Sequence, residues 1–428
     1  MSVEVTIALV LMLVLLFLKV PVFLSVIAGS ATYFFLNTDV NSMILAQRLV
    51  SGMQSSSLLA VPFFVCAGIF MNYSGVTRRI MALCDLLTGR LYGGLAQVNV
   101  LLSTMMGGLS GSSLADAAME AKMLVPEMEK KGMSKAFSSV VTAASAMITP
   151  LIPPGIAMIL YGSLANISIG KLFVSGIGVG IMLCAGEMIT VSLISRKRGY
   201  KPTRTERPER GSALSIWLDA LLPLCLPVII IGGIRIGIFT ATEAGAVAVL
   251  FSIVLGLIYR ELDFKTFKEG IRETVTSATG IMLIIGAASA LSWILTKERI
   301  PQSLTTMMME ATTNKYVFLL LCNVFLLFVG MFVEGNAAMI ILVPLLYPIA
   351  SGYGIDPIQF AMVFIFNMAV GSLSPPMGTL MFVVCNETKC SLKSFIKESV
   401  PFYLVLLLEL AMLTLIPVLT VGLVDLVY

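Results

Sequence analysis

The sequence predicts an all-α polytopic membrane protein built from two inverted repeats, each with a re-entrant helical hairpin and a broken helix. Three observations predict it. The 428 residues are 58% hydrophobic and only 12% charged, whereas an average soluble domain carries about 25% charged residues. Apolar stretches recur along the whole chain, several of them near the ~20 residues that cross a hydrocarbon core. The interruptions in those stretches fall in matched pairs, one in each half of the chain.

In order, apolar segments run near 4–18, 20–36, 58–74, 93–106, 113–126, 136–161, 171–195, 214–234, 238–258, 274–296, 316–329, 337–350, 358–383 and 400–424. The first could pass for a signal peptide. No basic stretch precedes it, Lys19 follows it, and no small-residue cleavage site is apparent, so it is read as the first membrane helix. Four segments are too short to span. The pairs 93–106 with 113–126, and 316–329 with 337–350, have 14 residues each, roughly 21 Å at 1.5 Å per residue. Gly107-Gly-Leu-Ser-Gly-Ser-Ser113 joins the first pair and Gly330-Met-Phe-Val-Glu-Gly-Asn336 the second. Half-length helices meeting at a Gly/Ser/Asn tip predict a re-entrant hairpin, whose irregular backbone is tolerated at membrane depth only beside protein or an aqueous cavity.

Two longer segments are interrupted by Thr149-Pro-Leu-Ile-Pro-Pro-Gly155 and Ser372-Leu-Ser-Pro-Pro-Met-Gly378. A double proline removes two backbone donors and turns the preceding residue away from helix, so both segments are expected to be broken. The halves match at Val125-Pro126 with Val343-Pro344, 218 residues apart. They match again at Pro153-Pro154 with Pro375-Pro376, Gly132 with Gly354, Lys171 with Lys393 and Phe173 with Phe395, 222 apart. A four-residue insertion accounts for the change of offset. The expected division is scaffold 1–91, hairpin one and broken helix 92–195, a basic linker 196–211, scaffold 212–300, and hairpin two with its broken helix 301–428. Matched interruptions in two halves point to a transporter site near the bilayer midplane.

Charge sets the orientation. The linker 196–210 holds seven Lys/Arg and is expected on the cytoplasmic side. With inverted repeats and both termini outside, only Arg48, Lys171, Arg235, Lys297, Arg299 and Lys315 of the 28 Lys/Arg lie outside, leaving 22 cytoplasmic. Segment 259–273 places Phe264, Phe267 and Ile271 on one face and reads as an interfacial helix, with 40–52 as its counterpart.

The same composition excludes chemistry. The chain has no histidine, which removes Ser-His-Asp and Cys-His catalysis, the zinc-protease motif and histidine haem ligation. No phosphate-loop motif is present. The seven cysteines show no C-x-x-C spacing and read as small buried hydrophobes. Gly176-Ile-Gly178-Val-Gly180 reads as close helix packing rather than a dinucleotide loop.

The breaks carry the candidate site. Half-helix N-termini suit an anionic substrate, and unwound carbonyls with hydroxyls suit Na⁺. The candidate Na⁺ ligands are Ser103, Ser110, Ser112, Asp116, Ser145, Thr149, Gly330, Glu334, Asn336, Asn367, Ser372, Ser374 and Gly378. Any one Ser or Asn could instead cap a helix or join two helices. Asp116 and Glu334, aligned at the 218 offset, are open to three roles: capping the second half-helix, holding the coupling ion, or carrying a proton. Glu120 is a further intramembrane acid. Glu243 reads as the third residue of a helix capped by Thr240.

Gly107-Gly-Leu-Ser-Gly-Ser-Ser-Leu-Ala-Asp116, Ile152-Pro-Pro-Gly155, Gly232-Gly-Ile-Arg-Ile-Gly-Ile-Phe-Thr-Ala-Thr-Glu-Ala244 and Asn367-Met-Ala-Val-Gly-Ser-Leu-Ser-Pro-Pro-Met-Gly378 together resemble the large membrane subunit of TRAP (tripartite ATP-independent periplasmic) transporters. The resemblance covers essentially the whole chain; Ala241 stands where the family often has proline. It implies a bacterial inner-membrane permease of elevator-type architecture, with Na⁺ as the coupling ion and no other cofactor. Its implied partners are a separate small four-helix (Q) subunit and a periplasmic substrate-binding (P) protein, in a lipid bilayer and without nucleic acid.

Family substrates are C4-dicarboxylates, sugar acids and sialic acid, and this chain looks nearest the sialic-acid branch. No arginine lies between Arg90 and Arg196, so the substrate carboxylate is expected at helix termini and hydroxyls. The candidate contacts are Ser110, Gly111, Ser112, Ser113, Pro153, Pro154, Gly155, Pro375 and Pro376. The competing readings are a stand-alone Na⁺/dicarboxylate carrier, a channel and a membrane-embedded enzyme. The last lacks a nucleophile with a base.

Overall fold

The computed structural model describes residues 3–18, 20–54, 58–204 and 210–428. Lys19 and positions 205–209 of the basic linker lie outside the described residues. All regular structure among the described residues is helical.

The first repeat opens with α1 (Val3–Phe17), α2 (Val22–Leu36), α3 (Met43–Met53), α4 (Ala60–Tyr73) and α5 (Val76–Thr88). A hairpin follows, α6 (Gly94–Ser110) and α7 (Ser113–Lys130). Next come α8 (Lys135–Ser145), a 3₁₀ turn (Thr149–Leu151), α9 (Ile156–Ala165) and α10 (Ile169–Arg198). The second repeat runs through α11 (Arg210–Arg235), α12 (Ala241–Ile258), α13 (Phe264–Lys297) and α14 (Ile300–Ala311) to its own hairpin, α15 (Lys315–Gly330) and α16 (Gly335–Gly352). It ends with α17 (Pro357–Leu373), α18 (Thr379–Thr388), α19 (Leu392–Leu415) and α20 (Val418–Val427).

Among the described residues six helices are long and apolar enough to cross a membrane, and two bent pairs would make eight. One pair is α4 with α5, bent by 72° where Ser74 leads into Gly75, whose φ of 70° is a left-handed conformation open to glycine. The other is the first broken helix, bent by 42°. Both double prolines, Pro153-Pro154 and Pro375-Pro376, are cis.

The two outbound hairpin arms are matched helices of 18 residues, starting at 113 and 335, and α8 and α17 start at 135 and 357. Each pair of starts is therefore 222 apart. This corrects the expected alignment at 218: no four-residue insertion separates the blocks, and Pro126 pairs with Pro348 rather than Pro344. Asp116 thereby pairs with Ala338, and the mate of Glu334 is Ser112. Both of these are N-caps, Ser112 of α7 and Glu334 of α16. One extra residue in the second repeat lies in its break, between Pro375-Pro376 and Gly378, where the first repeat passes straight from Pro154 to Gly155. Beyond it α9 and α18, and α10 and α19, start 223 apart, so the expected pairs Lys171 with Lys393 and Phe173 with Phe395 each slip by one residue.

Packing between the repeats is reciprocal. The arm α7 lies along α18 while α16 lies along α9, and α4 lies along α12 while α13 lies along α2. Each element therefore packs on the partner's equivalent of its own neighbour, as a pseudo-two-fold axis requires. Two hydrophobic cores result. The larger joins both hairpins and both broken helices; the smaller joins α1 and α2 to α13 through Val5, Met12, Val26, Phe34, Ala287 and Leu291.

Three expected boundaries move. The hairpin arms are 16 to 18 residues long, not 14, because α6 continues through the glycine pair to Ser110 and α7 runs past Pro126 into its charged end. The first tip therefore shrinks to Gly111-Ser112. Segment 259–273 is not a separate interfacial helix. From Phe264 it is the start of the 34-residue α13, which Asp263 and Thr266 open with a capping box. Its supposed counterpart is separate, as α3, and packs on α13. The capping box of Thr240 and Glu243 is present as expected.

Small residues set the closest approaches. Along α10, a Cβ on Gly176 would strike the Leu151 carbonyl and one on Gly180 the Ile152 side chain. The Gly176–Gly180 run is thus the surface that seats the first break.

Candidate functional site

The site begins at the tip of the first hairpin. Gly111 ends α6 in a left-handed conformation, φ 66°, and Ser112 caps α7 by accepting from the Ala115 N–H at 3.4 Å. The turn brings Ser110 back over the first turn of α7, where its hydroxyl donates to Asp116 Oδ2 at 2.5 Å. Thr149, at the start of the helix break, donates to the same oxygen at 2.9 Å. Asp116 is fully buried, and its other oxygen, Oδ1, has no hydrogen-bond partner. Of its three possible roles, capping is taken by Ser112; the carboxylate instead gathers side-chain hydroxyls from the hairpin and the break.

One helical turn further along α7, a second polar group forms. Ser103 donates to Glu120 at 2.6 Å and lies 2.9 Å from Ser145. Ser145 is 3.3 Å from the Asn99 carboxamide oxygen, and Asn99 donates to Thr142 at 2.6 Å. These residues are all fully buried. Asn99 and Thr142 were missed by sequence reading. Their signal was a polar residue one turn before each candidate serine, Asn99 before Ser103 and Thr142 before Ser145.

The second repeat is built differently. Glu334 caps α16 with both carboxylate oxygens, accepting from the Asn336 N–H at 3.1 Å and the Ala337 N–H at 3.0 Å. Asn367, the 222-offset mate of Ser145, donates to Asn323 at 2.9 Å, and Asn323 donates to Thr414 at 2.9 Å. Asn367 Oδ1 is buried without a partner. Ser372 and Ser374 each donate to a carbonyl of their own helix, those of Ala369 and Val370. Gly330 lies against Gly371: a Cβ on Gly371 would sit 2.6 Å from the Gly330 Cα. In the first repeat Gly107 approaches Thr149 in the same way, its Cβ falling 2.9 Å from the Thr149 Cα. Each inbound arm thus touches the other half of its repeat where the helix unwinds.

Both hairpin tips and both breaks border one cavity of about 200 Å³, whose lining does not include Asp116, Thr149, Asn367 or the group around Glu120. Hairpin one contributes Ser110 to Ala115, and hairpin two Glu334, Gly335 and Asn336. The breaks contribute Pro150, Ile156, Ser372 and Thr379. The candidate substrate contacts divide. Ser110, Gly111, Ser112 and Ser113 line the cavity; Pro153, Pro154, Gly155, Pro375 and Pro376 are not among its lining and form the loops behind it. A Cβ on Gly111 would lie 3.3 Å from the Pro154 carbonyl, and one on Gly378 would crowd the backbone of Ser372 and Ser374. The opposite wall, unforeseen from sequence, is Gly68 and Asn72 on α4 with Glu273 and Ser277 on α13. Tyr73 donates to Glu273 at 3.2 Å.

The two helix N-termini facing the cavity each carry one acid, placed differently. Glu334 caps α16 with its carboxylate, whereas on α7 the cap is the neutral Ser112 and the acid, Asp116, is buried in the first turn. The α7 end is therefore the one whose first N–H groups are not already held by a capping carboxylate. Among the described residues no cluster of three or more His, Cys, Asp or Glu has the geometry of a metal site. The available cation ligands are hydroxyl, carbonyl and single carboxylate oxygens.

Comparison with known proteins completes the description. Residues 9–419 match the family described as "Tripartite ATP-independent periplasmic transporter, DctM component". The chain is 36% identical over 414 residues to the sialic acid TRAP transporter large permease protein SiaM of Vibrio cholerae, covering 96% of each chain. It is 34% identical over 380 residues to the C4-dicarboxylate TRAP transporter large permease protein DctM of Pseudomonas aeruginosa, covering 89% of this chain and 88% of that one. An uncharacterized protein of Salmonella typhimurium, YgiK, is 38% identical over 381 residues, covering 89% of this chain and 87% of that one. The solved structure of the Alcanivorax borkumensis YdaH transporter shares the fold, with a TM-score of 0.63 over 89% of each chain at 16% identity.

Proposed function

The chain belongs to the tripartite ATP-independent periplasmic transporter family as a multi-pass large permease of the DctM type, and from that premise we propose that it imports a carboxylated organic anion by Na⁺ symport. The observation that carries the proposal is the convergence of both hairpin tips and both helix breaks on one cavity. Buried oxygens without partners, Asp116 Oδ1 and Asn367 Oδ1, stand one in each repeat.

The residues fit the two cargoes separately. A substrate carboxylate sits at the α7 N-terminus, where Ser112, Ser113 and the backbone N–H groups of the first turn face the cavity. Na⁺ sits behind it, where Asp116 supplies the charge and Ser110 and Thr149, already on the other carboxylate oxygen, hold it in place. A cation at Asp116 offsets the cost of burying that carboxylate. In the second repeat Asn367 is the corresponding oxygen donor, while Glu334 serves as helix cap.

Transport proceeds by elevator movement of 92–195 with 301–428 against a scaffold of 1–91 and 212–300. The smaller hydrophobic core supports this division, because its fully buried members all come from the scaffold segments. At the boundary, Gly68 of α4 lets the Ser110 backbone approach without a side chain between them. Seven Lys/Arg in the linker support a cytoplasmic position for it, and with it a topology that has both termini periplasmic in the bacterial inner membrane. A small four-helix membrane subunit and a periplasmic binding protein complete the system. Relatives named for sialic acid, 2,3-diketo-L-gulonate and C4-dicarboxylates favour a sugar acid first and a dicarboxylate second.

The test is uptake into proteoliposomes holding this chain and its small partner. Labelled sialic acid and succinate are offered with and without their binding proteins and an inward Na⁺ gradient. Uptake that needs both supports the proposal. Uptake indifferent to the binding protein supports a stand-alone carrier, and uptake indifferent to Na⁺ removes the symport.

A further inference from the structure

Away from the cavity, α10 and α19 bury two carboxyl groups that the transport site does not use. Glu187 of α10 is 1% exposed and Glu409 of α19 is 5% exposed. Neither Glu187 oxygen has a hydrogen-bond partner, nor does Glu409 Oε2. The two acids lie close to each other on adjoining helices. A Cβ on Gly186 would strike the Glu409 carboxylate, so the absent side chain at 186 is the notch that admits Glu409 to the α10 backbone beside Glu187. Arg198 and Glu398 pair at 2.5 Å at the basic end of the same two antiparallel helices. Glu187 and Glu409 each lie 11 residues inward from that pair, about 16 Å along a helix, and so at matching depth within the apolar zone.

Among the described residues no Lys or Arg acts on either acid. The titratable groups that face the pair are Glu120 of α7 and, on α10 itself, Cys184. The other polar neighbour is Gln97 of α6, fully buried and anchored on the Met188 carbonyl at 2.9 Å. Its carboxamide oxygen has no donor. The place therefore holds two acids with unpartnered oxygens, a third acid nearby in Glu120, and, among the described residues, no Lys or Arg acting on either.

We propose that Glu187 and Glu409 form a proton-binding site, in which the pair carries at least one exchangeable proton at neutral pH. Two like charges cannot both persist in a desolvated place without a counter-ion. One proton leaves a single charge; two leave none. Because α10 and α19 occupy equivalent places in the two repeats and pack on each other, the pair sits on the seam between them.

The test uses the assembled membrane complex, and its first two readouts do not depend on transport. A hydrophobic carbodiimide reacts with protonated carboxyls in apolar surroundings, and its adduct is located by peptide mass spectrometry. Adduct at Glu187 or Glu409 is expected at neutral pH, falling about tenfold for each pH unit above the pair's midpoint. The infrared band of a protonated carboxyl should fall with it, and be absent from the difference spectrum of E187Q/E409Q. Since Gln mimics the neutral acid, E187Q should be made and assembled as well as wild type, with its Na⁺ response intact and its pH response flattened. No adduct at neutral pH together with a pH-invariant carboxyl band would overturn the proposal. So would failure of E187Q to assemble when E187D succeeds, because that is the pattern of an ionised group paired with a cation.

Discussion

Thr149 donates a 2.9 Å hydrogen bond to Asp116, so the turn that opens the first helix break holds the tip of the first hairpin. The side chains are 33 residues apart in sequence and both are fully buried. Ser110 completes the contact from the other hairpin arm. A cation drawn to the unpartnered Asp116 oxygen would therefore report on hairpin and break together.

Removing either hydroxyl should loosen that geometry without removing the charge. Hydrogen bonds to a charged group contribute about 1.5–3 kcal/mol, so Thr149→Val or Ser110→Ala should raise the Na⁺ concentration for half-maximal uptake roughly ten- to a hundredfold. The check is a Na⁺ titration of uptake at saturating substrate-loaded binding protein.

The contact of Gly330 with Gly371 predicts a steric effect of another kind. A methyl group at 371 meets the Gly330 backbone, which has no side-chain freedom with which to yield. Gly371→Ala should cost about 1–3 kcal/mol and lower the unfolding temperature of the purified complex. Gly280→Ala is the control. Nothing lies within 4 Å of its added Cβ, and removing a glycine from a helix interior gains about 0.5–1 kcal/mol.

Glu334 should behave as a cap rather than an ion ligand. Glu334→Ala leaves two N–H groups of α16 without their acceptor and should cost about 1 kcal/mol. Glu334→Ser should recover most of the loss, since Ser112 does the same work on α7. Both variants should keep the wild-type Na⁺ response. Thermal unfolding and a Na⁺ titration on the same preparations check the two halves of this expectation.

Asn72 lies at the end of α4, just before α5 with Arg78 and Arg79, and Ser277 lies on α13, whose first turns carry Lys265 and Lys268. Positive charge marks the cytoplasmic side, so this conformation should admit reagents from the cytoplasm. In a background freed of the native cysteines, Asn72→Cys and Ser277→Cys should label with an impermeant maleimide from that side. Excess substrate should slow the labelling.

Much of this arrangement was legible in the sequence because its strongest signals are backbone requirements. Double prolines cannot continue a helix, and both breaks fall where Pro153-Pro154 and Pro375-Pro376 stand. The register of the hairpins was harder. Val125-Pro126 matches Val343-Pro344, and slipping the alignment by four residues moves a helix by little more than one turn. Apolar face and proline pattern survive such a slip, so only the caps, Ser112 and Glu334, fix the true offset. Hydropathy likewise truncated α7, because Glu127, Glu129 and Lys130 are helical but polar. It divided α13 because charged residues up to Glu273 precede an apolar run within the same helix. The scaffold wall of the cavity was illegible for a different reason. Asn72 and Glu273 meet hairpin tips far away in sequence, and no local pattern records that meeting.

The central claim, that Asp116 couples Na⁺ to transport, is tested most directly by the Na⁺ dependence of uptake in Asp116→Asn. Asparagine keeps the size of the side chain and its hydrogen-bonding oxygen, so the complex should assemble with an unfolding temperature close to wild type. The account predicts that its residual uptake no longer rises with an inward Na⁺ gradient. A stable Asp116→Asn complex whose uptake follows Na⁺ with the wild-type half-saturation would contradict it.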